Sequence, residues 1–164
     1  MLGRGARIRQ ADRMRIVVHV PSQTLDLFDD AGKLLRRYAC STSEFGLGFE
    51  PGSNKTPTGN FRVAEKHGQG APEGMIFKSR QPTGEFASPA DETDHVQTRI
   101  LWLDGVDSEN ANTKERYIYI HGTNAAHLLG TPASHGCVRL SDGDAVDLFE
   151  LVPDATEVVI DPGE

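Results

Sequence analysis

Short runs of apolar residues at a period of two, separated by turn-forming residues, recur along most of the chain. Ile16, Val18 and Val20 form the first such run, and this period places their side chains on one face of a strand. Similar runs occupy residues 25–27, 33–40, 60–65, 99–104, 116–121 and 157–160. The pattern predicts a mainly β domain with an antiparallel, sandwich-like or barrel-like sheet that begins as a meander.

One segment near the C-terminus has a helical pattern instead. Ser141 is a favourable N-cap, and Asp144 follows at the third position of a capping motif. An apolar stripe comes next, formed by Ala145, Val146, Leu148, Phe149 and Leu151. Gly143 and Pro153 bracket the segment, so we predict one short C-terminal helix.

Length and composition indicate a single globular domain. The 164 residues are 37% hydrophobic and 25% charged, which is sufficient to bury one core. The formal net charge is −7, whereas a nucleic-acid-binding face would require a basic excess. We therefore expect no nucleic-acid partner, and an anionic substrate would have to meet local cations.

The candidate chemistry lies in residues 121–140, which contain a histidine and a cysteine. His121 ends an alternating strand, and Cys137 follows Gly136, a residue that tolerates φ > 0 in a tight turn. A thiol beside an imidazole is readily deprotonated, and the thiolate is the nucleophile in acyl transfer. The backbone N–H groups of His135, Gly136 and Cys137 share the turn and are candidate oxyanion-hole donors.

Spacing alone leaves two other interpretations of these residues open. Cys137 and His121 could be a buried thiol and a surface imidazole without a catalytic role. Imidazole and thiolate also bind zinc, which makes His121, His127, His135 and Cys137 candidate ligands. The His-Gly-Cys turn is too tight to place both of its ligands easily, and no Cys-x-x-Cys or His-x-x-x-His pair accompanies it. We therefore expect no metal and no other cofactor.

The order of residues in this stretch resembles a known family signature. His-Gly-Thr-Asn at residues 121–124, followed by Ser-His-Gly-Cys-Val-Arg-Leu at residues 134–140, is similar to the signature of the L,D-transpeptidase catalytic domain family (YkuD-type). Matching features occur at residues 55–61 and 116–121, so the resemblance covers most of residues 14–161. The family consists of peptidoglycan cysteine acyltransferases, and the resemblance implies that this chain shares their fold.

The resemblance also assigns roles to the residues of the motif. It implies that Cys137 is the nucleophile and His121 the general base. The carbonyl of Gly122 would orient the imidazole, a task that some relatives share with a serine at that position. The third member of the catalytic triad therefore stays open.

The substrate implied by the resemblance is a peptidoglycan stem tetrapeptide. Cleavage would separate the third residue, meso-diaminopimelate, from the terminal D-alanine through a thioester on Cys137. Transfer to water gives an L,D-carboxypeptidase that recycles muropeptides, and transfer to an amine gives 3-3 cross-links or D-amino acid exchange. Carbapenem-type inhibitors would acylate the same cysteine. A non-catalytic module that binds wall peptides is the alternative from another class.

Four residues around the motif are candidate substrate contacts, namely Arg139, Ser134, Thr123 and Asn124. Arg139 follows the nucleophile by two positions on the same strand face, and a guanidinium pairs bidentately with a carboxylate. A structural salt bridge from Arg139 to an aspartate such as Asp142 or Asp144 is the alternative. Thr123 and Asn124 can instead close a turn.

Residues 66–98 show no regular period, because glycine and proline interrupt the segment repeatedly. Long connections in compact domains tend to be lids or binding loops. We predict a long lid loop over the Cys137 cleft, with a merely solvated insertion as the alternative. Its candidate anchors are Met75, Ile76, Phe77 and Phe86.

The ends of the chain and the second cysteine complete the prediction. Residues 1–13 are rich in arginine and are predicted to be a flexible basic tail ahead of a catalytic domain at residues 14–164. The apolar run after the tail is too short for a signal peptide or a membrane span. We expect a cytoplasmic protein without a membrane partner, or a periplasmic or envelope protein if the N-terminus is incomplete. Cys40 is expected to be a small buried hydrophobe.

Overall fold

The computed structural model describes residues 13–88, 90, 91 and 93–163. The predicted basic tail, apart from Arg13, lies outside the described residues, so its boundary stays a prediction. Within the described range no helix is both long enough and apolar enough to cross a membrane.

Strands dominate the described part of the chain. They are β1 (Arg15–His19), β2 (Thr24–Phe28), β3 (Leu34–Ala39), β4 (Gly59–His67), β5 (Met75–Lys78), β6 (Gln81–Phe86), β7 (Gln97–Gly105), β8 (Tyr119–Thr123), β9 (Val138–Ser141) and β10 (Glu157–Asp161). The α-helix, α1, is Asp142–Leu151, and single 3₁₀ turns occur at Lys114–Arg116 and Ala126–Leu128. The mainly β class and the C-terminal helix are both confirmed.

All of these strands belong to one sheet that curls into a half-barrel. The strand order is β3-β2-β1-β10-β4-β7, after which the sheet forks from β7 into β5-β6 and β8-β9. The predicted antiparallel meander is present in β1, β2 and β3. Two pairs are parallel instead, β1 with β10 and β8 with β9. A parallel pair needs a crossover of a dozen or more residues, which residues 124–137 supply between β8 and β9.

The two faces of the sheet bury separate apolar clusters. Ile120, Val138 and Leu140 point into the main core, where Leu148 and Phe149 of α1 cover the sheet. The residues that alternate with them point to the other face. A smaller cluster lies there, formed by Phe77, Ile100, Trp102 and Tyr119, and Cys137 packs against it.

Both ends of α1 are capped by side chains. The Ser141 hydroxyl accepts a hydrogen bond from Asp144 N at 3.1 Å, as the N-cap prediction requires. Gly143 lies inside the first turn, so its predicted place outside the helix is wrong. At the other end, Lys66 Nζ donates to the carbonyls of Phe149 and Val152, both at 2.6 Å. This cation satisfies carbonyl groups that have no partner within the helix.

The segment predicted as a lid loop contains a β-hairpin, β5–β6. Ser79 and Arg80 at its tip both have positive φ, 49° and 63°, as a tight hairpin turn requires. The prediction missed β6 because Pro82 and Gly84 lie on it, and such residues are tolerated on an exposed edge strand. Phe77 is a buried anchor, whereas Phe86 is 53% exposed and the prediction that it is an anchor is wrong.

The predicted strand at residues 116–121 is shorter than expected. Tyr117 has φ of 58° and ends the 3₁₀ turn Lys114–Arg116, so β8 begins only at Tyr119. A left-handed residue cannot continue an extended strand. The backbone of Tyr117 therefore turns away from the sheet next to the cysteine.

Gly105 and Gly143 provide a matched test of how the end of β7 packs against Asn110. A Cβ at Gly105 would lie 2.0 Å from the backbone oxygen of Asn110, a fully buried residue held by hydrogen bonds to Thr58 O and Asn60 O. A Cβ at Gly143 meets nothing within 4 Å. We expect Gly105→Ala to lower the free energy of unfolding by about 1–3 kcal/mol. Gly143→Ala should raise it by up to about 1 kcal/mol. Urea unfolding measures both, and a neutral Gly105→Ala would contradict the described β7 packing.

Candidate active site

His121 lies on β8 between β7 and β9 and is almost completely buried. In the strand register it stands opposite Ile100 on one side and Arg139 on the other. Its Nδ1 lies 2.6 Å from the backbone oxygen of Gly122. Because a carbonyl only accepts, Nδ1 carries the proton, and in the neutral ring Nε2 keeps a free lone pair. The predicted contact between Gly122 and the imidazole is therefore present in the structure.

Burial also sets the charge of the imidazole. Loss of solvation lowers the pKa of His121, and this effect outweighs the nearby Asp94 carboxylate and the Gly122 hydrogen bond, which act in the opposite direction. The ring is consequently neutral at neutral pH. A neutral ring with a free Nε2 can accept a proton, so His121 has the properties of a general base.

Gly122 is enclosed on several sides. A Cβ there would lie 2.6 Å from Asp142 Oδ1, 2.9 Å from Thr98 Cβ and 3.0 Å from Gln97 O. The Asp142 carboxylate is itself fixed, because Gln97 Nε2 donates to both of its oxygens at 3.0 Å and the Thr98 hydroxyl donates to one of them. Only glycine fits at this position while the network is in place.

Thr98 holds this network in an unusual backbone conformation. It is fully buried with φ of 75°, at the point where the register between β7 and β8 shifts. A β-branched residue rarely adopts this region, and the strain costs about 1–3 kcal/mol. Hydrogen bonds from its hydroxyl to Asp142 and from Gly74 N to that hydroxyl, the latter at 2.9 Å, offset part of the cost. This network was not predicted, because nothing in the hydrophobic and polar pattern of the sequence marks a threonine with positive φ.

The turn that carries Cys137 is held by two hydroxyl groups. Ser134 Oγ donates to Cys137 O at 2.6 Å and accepts from Gly136 N at 3.2 Å, and Thr56 Oγ1 donates to Gly136 O at 2.9 Å. Gly136 has φ of 126°, so its predicted conformational freedom is used.

The same hydrogen bonds bear on the predicted roles of two site residues, Ser134 and Gly136. Ser134 is fully buried and its hydroxyl is occupied within the turn, so in this structure it holds the turn, and its predicted contact with substrate stays a prediction. The N–H of Gly136 donates to that hydroxyl in this structure, so it is already engaged. Within the described structure, the N–H groups of His135 and Cys137 are the donors of this turn that remain for an oxyanion.

The Cys137 thiol rests against backbone groups beside the small apolar cluster. Its Sγ accepts from Tyr119 N at 3.3 Å and donates to Tyr117 O at 3.4 Å. Burial raises the pKa of the Cys137 thiol to about 12. The thiol is therefore protonated at rest, and the described residues show no hydrogen bond between Sγ and His121. Proton removal has to accompany attack, a task for a positioned base.

Arg139 lies on the same face of the sheet as His121 and is also buried. Its neighbours Val138 and Leu140 point into the main core, which confirms the predicted alternation along β9. Arg139 Nη1 donates to Asp94 Oδ1 at 2.8 Å. The alternative of a structural salt bridge to an aspartate is therefore present, although the partner is Asp94 and not Asp142 or Asp144.

Thr123 and Asn124 both bond to nearby backbone. Thr123 Oγ1 accepts from Ala125 N at 3.0 Å, which closes a turn after β8. Asn124 Nδ2 donates to Asp91 O at 2.8 Å and links that turn to the segment before β7. The turn-closing alternative is therefore observed for Thr123, whereas Asn124 joins two segments of the backbone. The predicted contacts of both side chains with substrate stay predictions.

Three further observations bear on the chemistry of the protein. A cleft of about 300 Å³ borders the Cys137 turn and is lined by residues that include Asn54, Glu115, Tyr117 and His135. In the described part of the chain, no group of three or more His, Cys, Asp or Glu side chains is arranged to hold a metal ion. Cys40 is fully buried, and burial raises the pKa of its thiol to about 12, as expected for an inert cysteine.

The sequence that builds this site matches a known family. The model of the L,D-transpeptidase catalytic domain, YkuD, matches residues 13–160. The chain belongs to the L,D-transpeptidase catalytic domain family. The L,D-transpeptidase YkuD of Bacillus licheniformis is 42% identical over 157 residues, which cover 94% of this chain and 71% of that protein. YkuD of Bacillus subtilis is 27% identical over 106 residues, which cover 65% of this chain but only 45% of that protein.

Solved L,D-transpeptidases share the fold of this chain. The L,D-transpeptidase of Xylanimonas cellulosilytica has a TM-score of 0.60 and 21% identity, and the match covers 93% of this chain and 62% of that chain. L,D-transpeptidase 3 of Mycobacterium tuberculosis, solved with a faropenem-derived adduct, has a TM-score of 0.58 and 18% identity, covering 90% and 60%. The L,D-transpeptidase fold is confirmed, and this chain spans about three fifths of those two structures.

Substitution of Gly122 tests the contact that orients the imidazole. Gly122→Ala forces a Cβ against the Asp142 carboxylate and the Gln97 backbone, so the Gly122 carbonyl must move away from His121 Nδ1. We expect a loss of about 1–3 kcal/mol in the free energy of unfolding. We also expect the Nδ1–H proton signal of His121 to disappear from the NMR spectrum. Gly143→Ala is the control, and an unchanged His121 signal in Gly122→Ala would disprove the enclosure.

The lowered pKa of His121 predicts how stability depends on pH. An unfolded histidine titrates near pH 6.5, and the native His121 titrates below that value. Between the two values the unfolded chain binds more protons, so the free energy of unfolding should fall as the pH drops below about 6.5. The slope is at most about 1.4 kcal/mol per pH unit.

The matched variant for this test is His121→Gln, compared with the native chain by urea unfolding between pH 5 and 7. Carboxylates with lowered pKa values, such as Asp26 and Asp91, titrate near pH 4 when unfolded and act outside this window. We expect the slope to flatten in His121→Gln. The same slope in both proteins would assign the effect to other groups.

Proposed function

We propose that Cys137, His121 and Gly122 form the catalytic centre of a cysteine acyltransferase that acts on peptidoglycan stem tetrapeptides. The observation that carries this proposal is the hydrogen bond from His121 Nδ1 to Gly122 O, which leaves Nε2 as a free base. The parallel register supports it, because His121 stands opposite Arg139, two residues from Cys137. A peptide-binding module without catalysis has no need for a neutral buried imidazole in this position.

The reaction begins with attack on the third residue of the stem peptide, meso-diaminopimelate. Nε2 of His121 takes the proton from Cys137 Sγ as the sulfur attacks the carbonyl carbon. The N–H groups of His135 and Cys137 stabilise the oxyanion. The C–N bond to the terminal D-alanine then breaks, His121 returns the proton to the departing amine, and a thioester remains on Cys137.

Water is the acceptor that we favour for this thioester. The cleft of about 300 Å³ beside the Cys137 turn is at the lower end of ligand-site volumes, which favours a small acceptor. Water needs only access, whereas an amine acceptor needs a second docking surface beside the thioester. The enzyme would then be an L,D-carboxypeptidase that converts tetrapeptide muropeptides to tripeptides.

Transfer to an amine is the second candidate. The relatives named above are called L,D-transpeptidases, and Glu115 on the wall of the cleft is a carboxylate that suits an incoming ammonium group. This reaction forms 3-3 cross-links or exchanges D-amino acids. A hydrolase of soluble muropeptides works in the cytoplasm and a cross-linking enzyme in the envelope, so the acceptor also decides the location that we propose.

Substituting each of the two cysteines tests which thiol is the nucleophile. We expect Cys137→Ala to lose essentially all release of D-alanine from tetrapeptide, and Cys40→Ala to keep most of it, because only the first thiol lies at the site. Formation of an imipenem adduct is a second readout, since one L,D-transpeptidase of this fold has been solved in complex with imipenem. Mass spectrometry should show an adduct on the native chain and on Cys40→Ala but not on Cys137→Ala. D-Alanine release by Cys137→Ala would remove the nucleophile from the proposal.

The acceptor is tested by product analysis. Purified protein is incubated with disaccharide tetrapeptide, with and without excess D-methionine, and the products are separated by mass. Hydrolysis predicts tripeptide and free D-alanine, with little dimer and little incorporation of D-methionine. Predominant dimer or exchanged peptide would replace hydrolysis by transfer. Binding without any release of D-alanine would establish the binding module instead.

A further inference from the structure

The guanidinium of Arg139 is buried with most of its hydrogen-bonding capacity unused. The side chain is 3% exposed, and of its N–H groups only Nη1 has an acceptor, Asp94 Oδ1 at 2.8 Å. Nε and Nη2 are buried and have no acceptor among the described residues. A buried donor without a partner costs about 1–3 kcal/mol. Such an arrangement is expected where an acceptor arrives with a ligand.

Asp94 holds Arg139 through a single contact. One carboxylate oxygen faces Nη1, and the other lies 3.6 Å from His135 Nδ1, in the turn next to Cys137. A guanidinium and a carboxylate can form two parallel hydrogen bonds, and this pair uses only one. The Asp94 side chain is 16% exposed and approaches from the irregular segment between β6 and β7. A carboxylate that is weakly paired and reaches solvent is open to replacement by another carboxylate.

We propose that Arg139 recognises the free carboxylate of the residue that leaves the substrate, and that Asp94 occupies this position until the substrate arrives. The inference rests on the proposed acyl transfer from stem peptides and adds the group that selects a peptide with an unblocked C-terminus. Substrate binding then exchanges one carboxylate for another at a fixed guanidinium. Asp94 is a positioning residue that competes with the substrate and takes no part in bond making.

The spacing along the chain fits this role. An extended chain rises about 3.3 Å per residue, so Arg139 begins about 6.6 Å from Cys137. A carbonyl carbon poised for attack lies about 3–3.5 Å from the nucleophile. The next residue of the peptide begins about 3.8 Å further on. These distances bring the terminal carboxylate of a peptide cleaved at its last bond within reach of the Arg139 guanidinium.

The first arm of the test compares two substrates. Free tetrapeptide and the same peptide with a C-terminal amide are given to the native chain, and release of D-alanine or D-alaninamide is followed by mass. We expect kcat/KM for the free acid to exceed that for the amide by about tenfold or more. Arg139→Gln should reduce this ratio to near one. Equal processing of acid and amide by the native chain would overturn the inference while leaving the proposed acyl transfer intact.

The second arm isolates Asp94 and does not depend on turnover. Binding of both peptides is measured by calorimetry in the Cys137→Ala background, alone and combined with Asp94→Asn. Removing the competing charge should tighten binding of the free acid about three- to tenfold, with little change for the amide. Asp91→Asn is the matched control, because Asp91 lies on the same segment but pairs with His95. It should leave both affinities unchanged.

The outcomes separate competition from a structural role. If Asp94 only tethered its segment, Asp94→Asn would weaken both peptides equally, as would Asp91→Asn, and the inference would be wrong. If neither peptide binds or is cleaved, both the inference and the proposed function fail. If D-alanine and D-alaninamide are released from their respective substrates at the same rate, only the inference fails. A gain in affinity confined to the free acid and to Asp94→Asn supports it.

Discussion

The parallel pairing of β8 with β9 is the constraint on which the site depends. It sets His121 beside Arg139 and requires a crossover, and the crossover ends in the turn that presents Cys137. An antiparallel pair could be joined by a two-residue turn, which would leave no chain to build that turn. The hydroxyls of Ser134 and Thr56 then fix the turn from inside. One choice of strand direction therefore brings the His121 imidazole, the Cys137 thiol and the buried Arg139 cation to one face of the sheet.

Burial governs the charge state of this face. It lowers the pKa of His121 and raises the pKa of Cys137, so both groups are uncharged at rest. A preformed thiolate–imidazolium pair would have to be stabilised at the edge of an apolar cluster, and charges in such surroundings are costly. The structure instead stabilises one tautomer of the imidazole through the Gly122 carbonyl. The hydrogen bond therefore fixes the position of the uncharged His121 ring. In the proposed reaction, charge develops only when a substrate reacts.

The sequence predicted the elements with strong local patterns. Strand runs with a period of two and the Ser141 cap depend on neighbouring residues, and both were found close to their predicted positions. The hairpin β5–β6 was missed because Pro82 and Gly84 are tolerated on an edge strand, which can be judged only once the sheet is known. Strand direction was also missed, because a period of two is the same in parallel and antiparallel pairs.

The residues of the candidate site also divide into those marked by a local sequence motif and those defined by long-range contacts. Cys137, His121 and Gly122 were predicted from a motif within residues 121–140, whereas Asp94 and Thr98 come from parts of the chain that carry no motif. Their importance arises from contacts between distant segments, namely Asp94 with Arg139 and Thr98 with Asp142. Ser134 was assigned to substrate because the motif places it near the nucleophile, but its burial and its two hydrogen bonds assign it to the turn.

The most direct test of this account is the tautomer of His121 in the unliganded protein. Long-range nitrogen–proton correlation NMR at pH 7 distinguishes the two neutral tautomers from the imidazolium. The account predicts a neutral ring with its proton on Nδ1 and a free lone pair on Nε2, because Nδ1 faces the Gly122 carbonyl at 2.6 Å inside the sheet. A proton on Nε2, or a charged ring at that pH, would contradict the assignment of His121 as a neutral base oriented by Gly122.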